Sequence, residues 1–565
     1  MKKIPILLAL LLCAGGLQQV SATDRPDSTE PKSNRIVNII NFIRQLEPRD
    51  PAISEEVLYE TVHQQVLQLN RHQLAGTFLL QYDALINPRY QKLLKEELNA
   101  ASEVGAWWEI TQPHVEAAGL KWRGRYPWDW HADVGFSTGY TPAERAKLVD
   151  VYMAAFKAAF GTYPASVGSW FIDAYTLGYM YDKYHIVASC NCKDQLGTDG
   201  YTLWGGYWNQ AYYPSRKNAY MPAQTEQGQI PVPIFRMLGS DPIYQYDLGL
   251  GSDIQGVASL EPVYNEFGKS RKWIEWFFRT MFDEPCLAFN YVQAGQENSF
   301  TWAQMRTGLE IQIPLLDSLR RANKIEVKTL KESGEWFRKN YTLTPPTAVT
   351  ALTDVRNEGH KTVWYNSRFY RANLLWRGDA FRFRDIHLFD EHIESVYFTQ
   401  RCTSNKVVYK TLPLVDGFLW STRAQMAGLR VVKIAPTGES VELPLRNPVV
   451  EELGDKVLRV TCDSESGTTF TFLFREDQFE IRCDCPQALT WALELQTATG
   501  IELPFTEINR QTIRARQDGI DYAVGCHKGS FQSSEDPSKF IFRILPVKNR
   551  IIIDGKNAEL KRPNS

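Results

Sequence analysis

The stretch Phe78-Leu79-Leu80-Gln81-Tyr82-Asp83, followed by Ala106-Trp107-Trp108-Glu109-Ile110 and by Val167-Gly168-Ser169-Trp170-Phe171-Ile172-Asp173, decides the fold. Each is a short apolar run that ends on a polar or acidic residue, and helical sequence lies between them. The helix that opens at Thr141-Pro142-Ala143-Glu144 is the clearest, with Thr141 as N-cap, Pro142 in the first turn and Glu144 closing a capping box. Further runs at Ile186-Val187-Ala188, Pro233-Ile234-Phe235, Leu287 to Val292 and Ile325-Glu326-Val327 continue the alternation, and Thr329-Leu330-Lys331-Glu332 opens another capped helix. Strands alternating with helices make parallel β/α units. The seven runs predict an α/β fold, a (β/α)7-type barrel over residues 72–341.

Outward from that region the pattern changes on both sides. A helix over Ser54 to Leu69, with Val57, Leu58, Val62, Val66 and Leu69 at helical spacing, places residues 23–71 in an N-terminal helical segment. Met1-Lys2-Lys3, the apolar Ile4 to Leu12 and the small-residue exit Val20-Ser21-Ala22 read as a cleavable signal peptide over 1–22. Cys13 follows Leu12 rather than a small residue, which disfavours lipidation. Residues 342–348, around Thr344-Pro345-Pro346-Thr347, read as a linker. Beyond it alternating runs such as Lys361 to Tyr365, Lys456 to Cys462 and Thr468 to Phe474 predict an all-β, sandwich-like C-terminal domain over 349–565.

With 63 basic and 65 acidic residues and no long block of one sign, nucleic acid is a poor partner, and no apolar stretch after the leader is long enough to span a membrane. The expectation is a protein exported to the periplasm or the outside. Eight of the nine cysteines follow the leader, and the C-x-C pairs Cys190/Cys192 and Cys483/Cys485 lack the second pair of a zinc site, so a structural role is favoured.

In parallel barrels the reactive groups gather at the carboxyl ends of the strands. The strand exits offer Asp83, Glu109, Asp173 and Glu297 as carboxyl groups for glycoside hydrolysis, which needs one acid and one nucleophile or base. Each has a plain structural alternative, and Asp173, before a helix, is suited to N-capping. Around them, His114, Trp108, Trp170, Arg236 and Asp241 are candidate substrate contacts. Two aromatic loops, one with Trp128, Asp129 and His131 and one with Trp204, Tyr207 and Trp208, are expected to form opposite walls of a sugar groove.

The chain resembles the glycoside hydrolase and polysaccharide deacetylase superfamily through Gln81-Tyr82-Asp83, Pro164 to Tyr175 and Gln296-Glu297-Asn298. It also resembles a family of exported Bacteroidetes proteins that pair this barrel with a β domain. The latter resemblance implies fold and compartment, while an oligosaccharide or polysaccharide substrate is the expectation from the aromatic loops and the strand-exit carboxyl groups. Deacetylases of that superfamily hold a divalent metal on paired aspartates and a His-x-x-x-His, whereas Asp83-Ala84 and Glu109 to His114 stand here. A divalent metal on Asp83, Glu109 and His114 is therefore the secondary expectation. A glycosidase with Asp173 and one of Glu109 or Glu297 as the carboxylate pair, and Asp83 orienting substrate hydroxyls, comes first; a metal-dependent deacetylase using Asp83, Glu109 and His114 comes second and a non-catalytic glycan-binding protein third.

Overall fold

A computed structural model of the chain describes residues 34–454 and 456–558; the expected leader lies outside the described residues. The fold is mixed α/β, a nearly closed, barrel-like sheet followed by all-β sheets. Parallel neighbours run in the order Asn290–Ala294, Arg35–Ile43, Thr77–Leu80, Glu103–Trp107, Ser166–Gly168, Ala188–Asn191 and Ile234–Arg236. Ala211–Tyr212 adds antiparallel to the last of these, and Glu326–Lys328 lies parallel beside the first half of Arg35–Ile43. Between Ile234–Arg236 and Asn290–Ala294 side chains bridge what backbone does not. Gln210 donates to Asn290 Oδ1 at 2.5 Å and accepts from the Tyr291 amide at 2.8 Å, and the Leu238 amide donates to Gln293 Oε1 at 2.7 Å.

Arg35–Ile43 differs from the sequence-based expectation, which places these residues in the N-terminal helical segment and makes Phe78-Leu79-Leu80 the first strand; the latter is the second in chain order. The reason is burial on both faces. From Ile36 to Ile43 every residue is buried, so no alternation marks a strand. Asn38 and Asn41 interrupt the apolar run, and Asn38 Nδ2 donates to the carbonyl of Lys328 and the hydroxyl of Ser333, both at 2.7 Å. The anticipated helix runs Glu55–His72, and both capping boxes, at Thr141 and Thr329, are present.

The C-terminal part holds two large antiparallel sheets. Their inner faces meet through Phe381 and Phe383 of one against Phe472 of the other, with ring centres 5.0 and 5.6 Å apart. The barrel is fastened to this part along a buried seam. Trp208 stacks on Trp364 at 4.2 Å with the rings 1° from parallel, Trp204 donates to Asp416 Oδ2 at 2.8 Å, and Arg371 joins Asp194 at 2.6 Å to Asp385 at 2.8 Å. A segment of the β part also returns to the barrel, where Val407–Tyr409 pairs in parallel with Tyr201–Leu203.

Candidate active site

A cleft of about 400 Å³ opens at the carboxyl ends of the barrel strands. Its walls come from the segments that follow five of them, including Glu47 and Arg49, Trp170, Lys193 and Asp199, Glu261 and Tyr264, and Glu297 and Phe300. Behind the cleft wall, Glu297 and Ser299 are held by Arg44, the residue after Arg35–Ile43, which is 2% exposed. Arg44 donates to Glu109 from Nε to Oε2 at 2.8 Å and from Nη2 to Oε1 at 2.6 Å. Its Nη1 lies 2.6 Å from Glu297 Oε2, a charge contact off the line of the N–H bonds, and donates to Ser299 Oγ at 3.2 Å. The indole of Trp128 covers the guanidinium at 4.2 Å. Burial opposes the charge on Arg44, but Glu109 and Glu297 outweigh it and hold the guanidinium more firmly protonated than usual.

Glu297 reaches the cleft from the turn after Asn290–Ala294. Gly295 makes that turn at a φ of +85°, and a Cβ there would lie 2.4 Å from the Ile40 carbonyl oxygen, so a glycine is required. Burial raises the Glu297 pKa, with Arg44 opposing.

Glu261 comes from the long irregular segment after Ile234–Arg236. That segment is clamped by Gln312, whose Nε2 donates to the carbonyls of Leu260 at 2.8 Å and Gly268 at 2.7 Å. Gly268 packs so closely that a Cβ would sit 1.9 Å from the Glu261 carbonyl oxygen. The Glu261 carboxyl accepts from Ser259 Oγ at 2.6 Å and Gln296 Nε2 at 2.7 Å. Burial pushes its pKa up to about 7, with Ser259 and Lys193 opposing and Asp199 and Glu297 adding to the rise. A carboxyl that holds its proton near neutrality can act as a general acid.

The sequence-derived candidates divide into three groups. Glu297 and Trp170 line the cleft. Glu109 and Trp128 lie behind it, gripping and covering Arg44, and Gln81 adds a hydrogen bond to Glu109 Oε2 at 2.7 Å. Asp83 is buried nearby with Oδ1 accepting from the Ala84 amide and Oδ2 without a partner, and burial pushes its pKa up to about 7.

The others are committed elsewhere. Asp173, expected as one of the carboxylate pair, is instead the N-cap of Ala174–Tyr184: it accepts from the Thr176 amide and hydroxyl, from Ser137 Oγ and from Arg145 at 2.9 Å, which leaves it no part in the cleft. Asp129 binds Arg125, His131 lies edge-on to Trp130, and Asp241 accepts from Trp273 Nε1 at 2.7 Å. Arg236 is spent on Asp194 and the Cys192 carbonyl. Trp108 is fully buried against His114 and Tyr152. Trp204, Tyr207 and Trp208 do not form an opposite groove wall: they pack in the seam, with Tyr207 donating to the Pro345 carbonyl at 2.7 Å. Sequence reasoning missed Arg44, Lys193 and Glu261.

Asp83, Glu109 and His114 do not fit a metal. His114 stacks on Tyr82 at 4.5 Å and donates Nε2–H to the Leu148 carbonyl at 2.8 Å, while both Glu109 oxygens are taken by Arg44. Burial lowers the His114 pKa to about 4. Among the described residues no group of three or more His, Cys, Asp or Glu side chains is placed to hold an ion.

No family model and no curated protein matches the chain. Solved structures similar to it include a Parabacteroides distasonis protein provisionally described as a glycoside hydrolase/deacetylase, at 16% identity and a TM-score of 0.49, covering 67% of this chain and 89% of that one. A protein from Mycobacterium smegmatis provisionally described as a polysaccharide deacetylase gives 12% identity and a TM-score of 0.35, covering 56% of this chain and 94% of that one. A family 4 acetyl xylan esterase from Clostridium thermocellum, in complex with cobalt, gives 11% and 0.23, covering 53% and 89%. No helix among the described residues is long and apolar enough to cross a membrane.

Proposed function

We propose that the chain is an exported carbohydrate-active hydrolase that cleaves a glycosidic bond in the barrel-mouth cleft, with Glu261 as general acid and Glu297 as the second carboxylate. The observation that carries this reading is a pair of buried carboxyl groups in one cleft in unlike settings: Glu261 among the neutral donors Ser259 and Gln296, with its pKa pushed up to about 7, and Glu297 against the guanidinium of Arg44. The pair differs in environment, which is what assigns acid and base roles. Glu261 gives its proton to the leaving oxygen as the glycosidic bond breaks. Glu297 supplies negative charge at the anomeric carbon, directly or by taking a proton from the attacking water.

The half-buried rings of Trp170, Tyr264 and Phe300 in the walls support a sugar ligand, because the apolar faces of sugar rings stack on aromatic planes. Glu109 acts through Arg44 as a positioning residue. The experiment is release of new reducing ends from a panel of oligosaccharides, by the parent chain and by Glu297→Gln. Turnover by the parent and a loss of about 10²- to 10⁴-fold in the variant is the expected result; equal turnover by the two overturns the assignment.

A further inference from the structure

Lys193 stands two residues past Ala188–Asn191 and lines the cleft, yet its side chain does nothing for the fold that accounts for its charge. It is 1% exposed, and among the described residues its Nζ has no hydrogen-bond partner and no ion pair. A buried ammonium without a counter-charge is strongly unfavourable, so such groups are kept where something else supplies the anion.

Asp199 lines the same cleft and Glu261 lies close enough to feel the charge of Lys193, but among the described residues neither makes an ion pair with it. Asp194, next in sequence, is drawn away by Arg371 at 2.6 Å and Arg236 at 3.4 Å. Glu261 gives its two oxygens to Ser259 and Gln296. The other cations at the cleft are neutralised: Arg49 by Glu47 at 2.6 Å, and Arg44, behind the wall, by Glu109 and Glu297. Lys193 is thus the free cation of this site among the described residues.

We propose that Lys193 receives an anionic substituent of the sugar, a carboxylate or a sulfate ester, so that the substrate class of the cleft is an acidic glycan. This rests on the hydrolase reading for the identity of the ligand as a sugar. A point charge on a flexible stem suits a single anionic group, and its pairing discriminates against a neutral sugar that leaves the ammonium bare.

The test is equilibrium binding of glucuronate, glucose 6-sulfate and glucose to the full chain and to Lys193→Met, read by calorimetry without turnover. The expected result is a preference of about tenfold or more for at least one anionic sugar over glucose, lost in Lys193→Met. Preference for glucuronate alone assigns the carboxylate, and for glucose 6-sulfate alone the sulfate. Equal or absent binding of all three by the parent overturns the proposal, as does a preference that survives in Lys193→Met. Removing an unpaired buried charge is not expected to unfold the chain, and Lys193→Arg, which restores the charge, is expected to restore a preference. Because binding is read without catalysis, a failure of the hydrolase reading in the Glu297→Gln experiment remains a separate result.

Discussion

Arg44 grips Glu109 with two parallel hydrogen bonds, 2.8 and 2.6 Å long, and turns its remaining nitrogen toward Glu297 at 2.6 Å. One guanidinium thereby ties the end of Arg35–Ile43 to the segments that follow two other strands. Removing it leaves two carboxylates buried without their cation. Arg44→Met is expected to destabilise the chain by about 3–5 kcal/mol in urea unfolding, and Arg44→Lys to recover only part of this, because an ammonium cannot reproduce the fork.

Asp173 supplies a second prediction. It caps a helix and pairs with Arg145, and both side chains are fully buried. Asp173→Asn keeps the shape but leaves Arg145 without its counter-charge, so a stability loss of about 3–5 kcal/mol is expected by chemical denaturation. The kcat and KM of the folded fraction are expected to stay within about twofold of the parent, since a group that touches no substrate adds nothing to transition-state binding. A large fall in kcat with stability intact would return Asp173 to the reacting groups.

The pH dependence of stability has a defined sign at Asp83. Burial lifts its pKa from the ordinary value near 3.8 to about 7. Between these values the folded state keeps a proton that the unfolded state has lost, so stability falls as pH rises through this window and stays lower above it. Asp83→Asn cannot ionise. Its melting temperature relative to the parent is expected to improve from pH 4 to pH 8, by the equivalent of about 2–4 kcal/mol. A pH-independent difference between the two would contradict this.

Gly268 tests how Glu261 is positioned. A methyl at Gly268 would collide with the Glu261 carbonyl, so Gly268→Ala must shift the segment that presents the carboxyl. A fall in kcat of about 10-fold or more is expected, because small displacements of a reacting group are costly. The midpoint of the alkaline limb of the rate profile is expected to move with it.

Local rules made much of this architecture legible. The capping boxes at Thr141 and Thr329 are set by a few neighbouring residues, and the alternation in segments such as Lys456 to Cys462 is visible because one face of an antiparallel sheet is drier than the other. Arg35–Ile43 escaped because a strand buried on both faces carries no period. The Trp204 to Tyr213 stretch was misread because the aromatic composition of a sugar groove and of a domain seam is the same; only Trp364 and Asp416, far along the chain, distinguish them.

At the site, Glu297 was found because it closely follows a strand. Arg44 follows its strand directly and Lys193 follows its own by two residues, and the charge cluster Arg44 to Asp50 is the signal that could reveal the first. Glu261 lies deep in an irregular segment, and its environment is made by Gln296, Lys193 and Gln312 from other parts of the chain. No spacing in the sequence encodes that meeting.

The central claim, that Glu261 is the proton donor of a glycan-cleaving site, is tested most directly by the pH profile of kcat/KM for reducing-end release by the parent chain and by Glu261→Gln. With a Glu261 pKa of about 7, the parent is expected to lose activity as pH rises through 7, while Glu261→Gln falls by about 10²- to 10⁴-fold at pH 6 and no longer shows that limb. A variant that retains both the parent's rate and its alkaline limb would contradict the account.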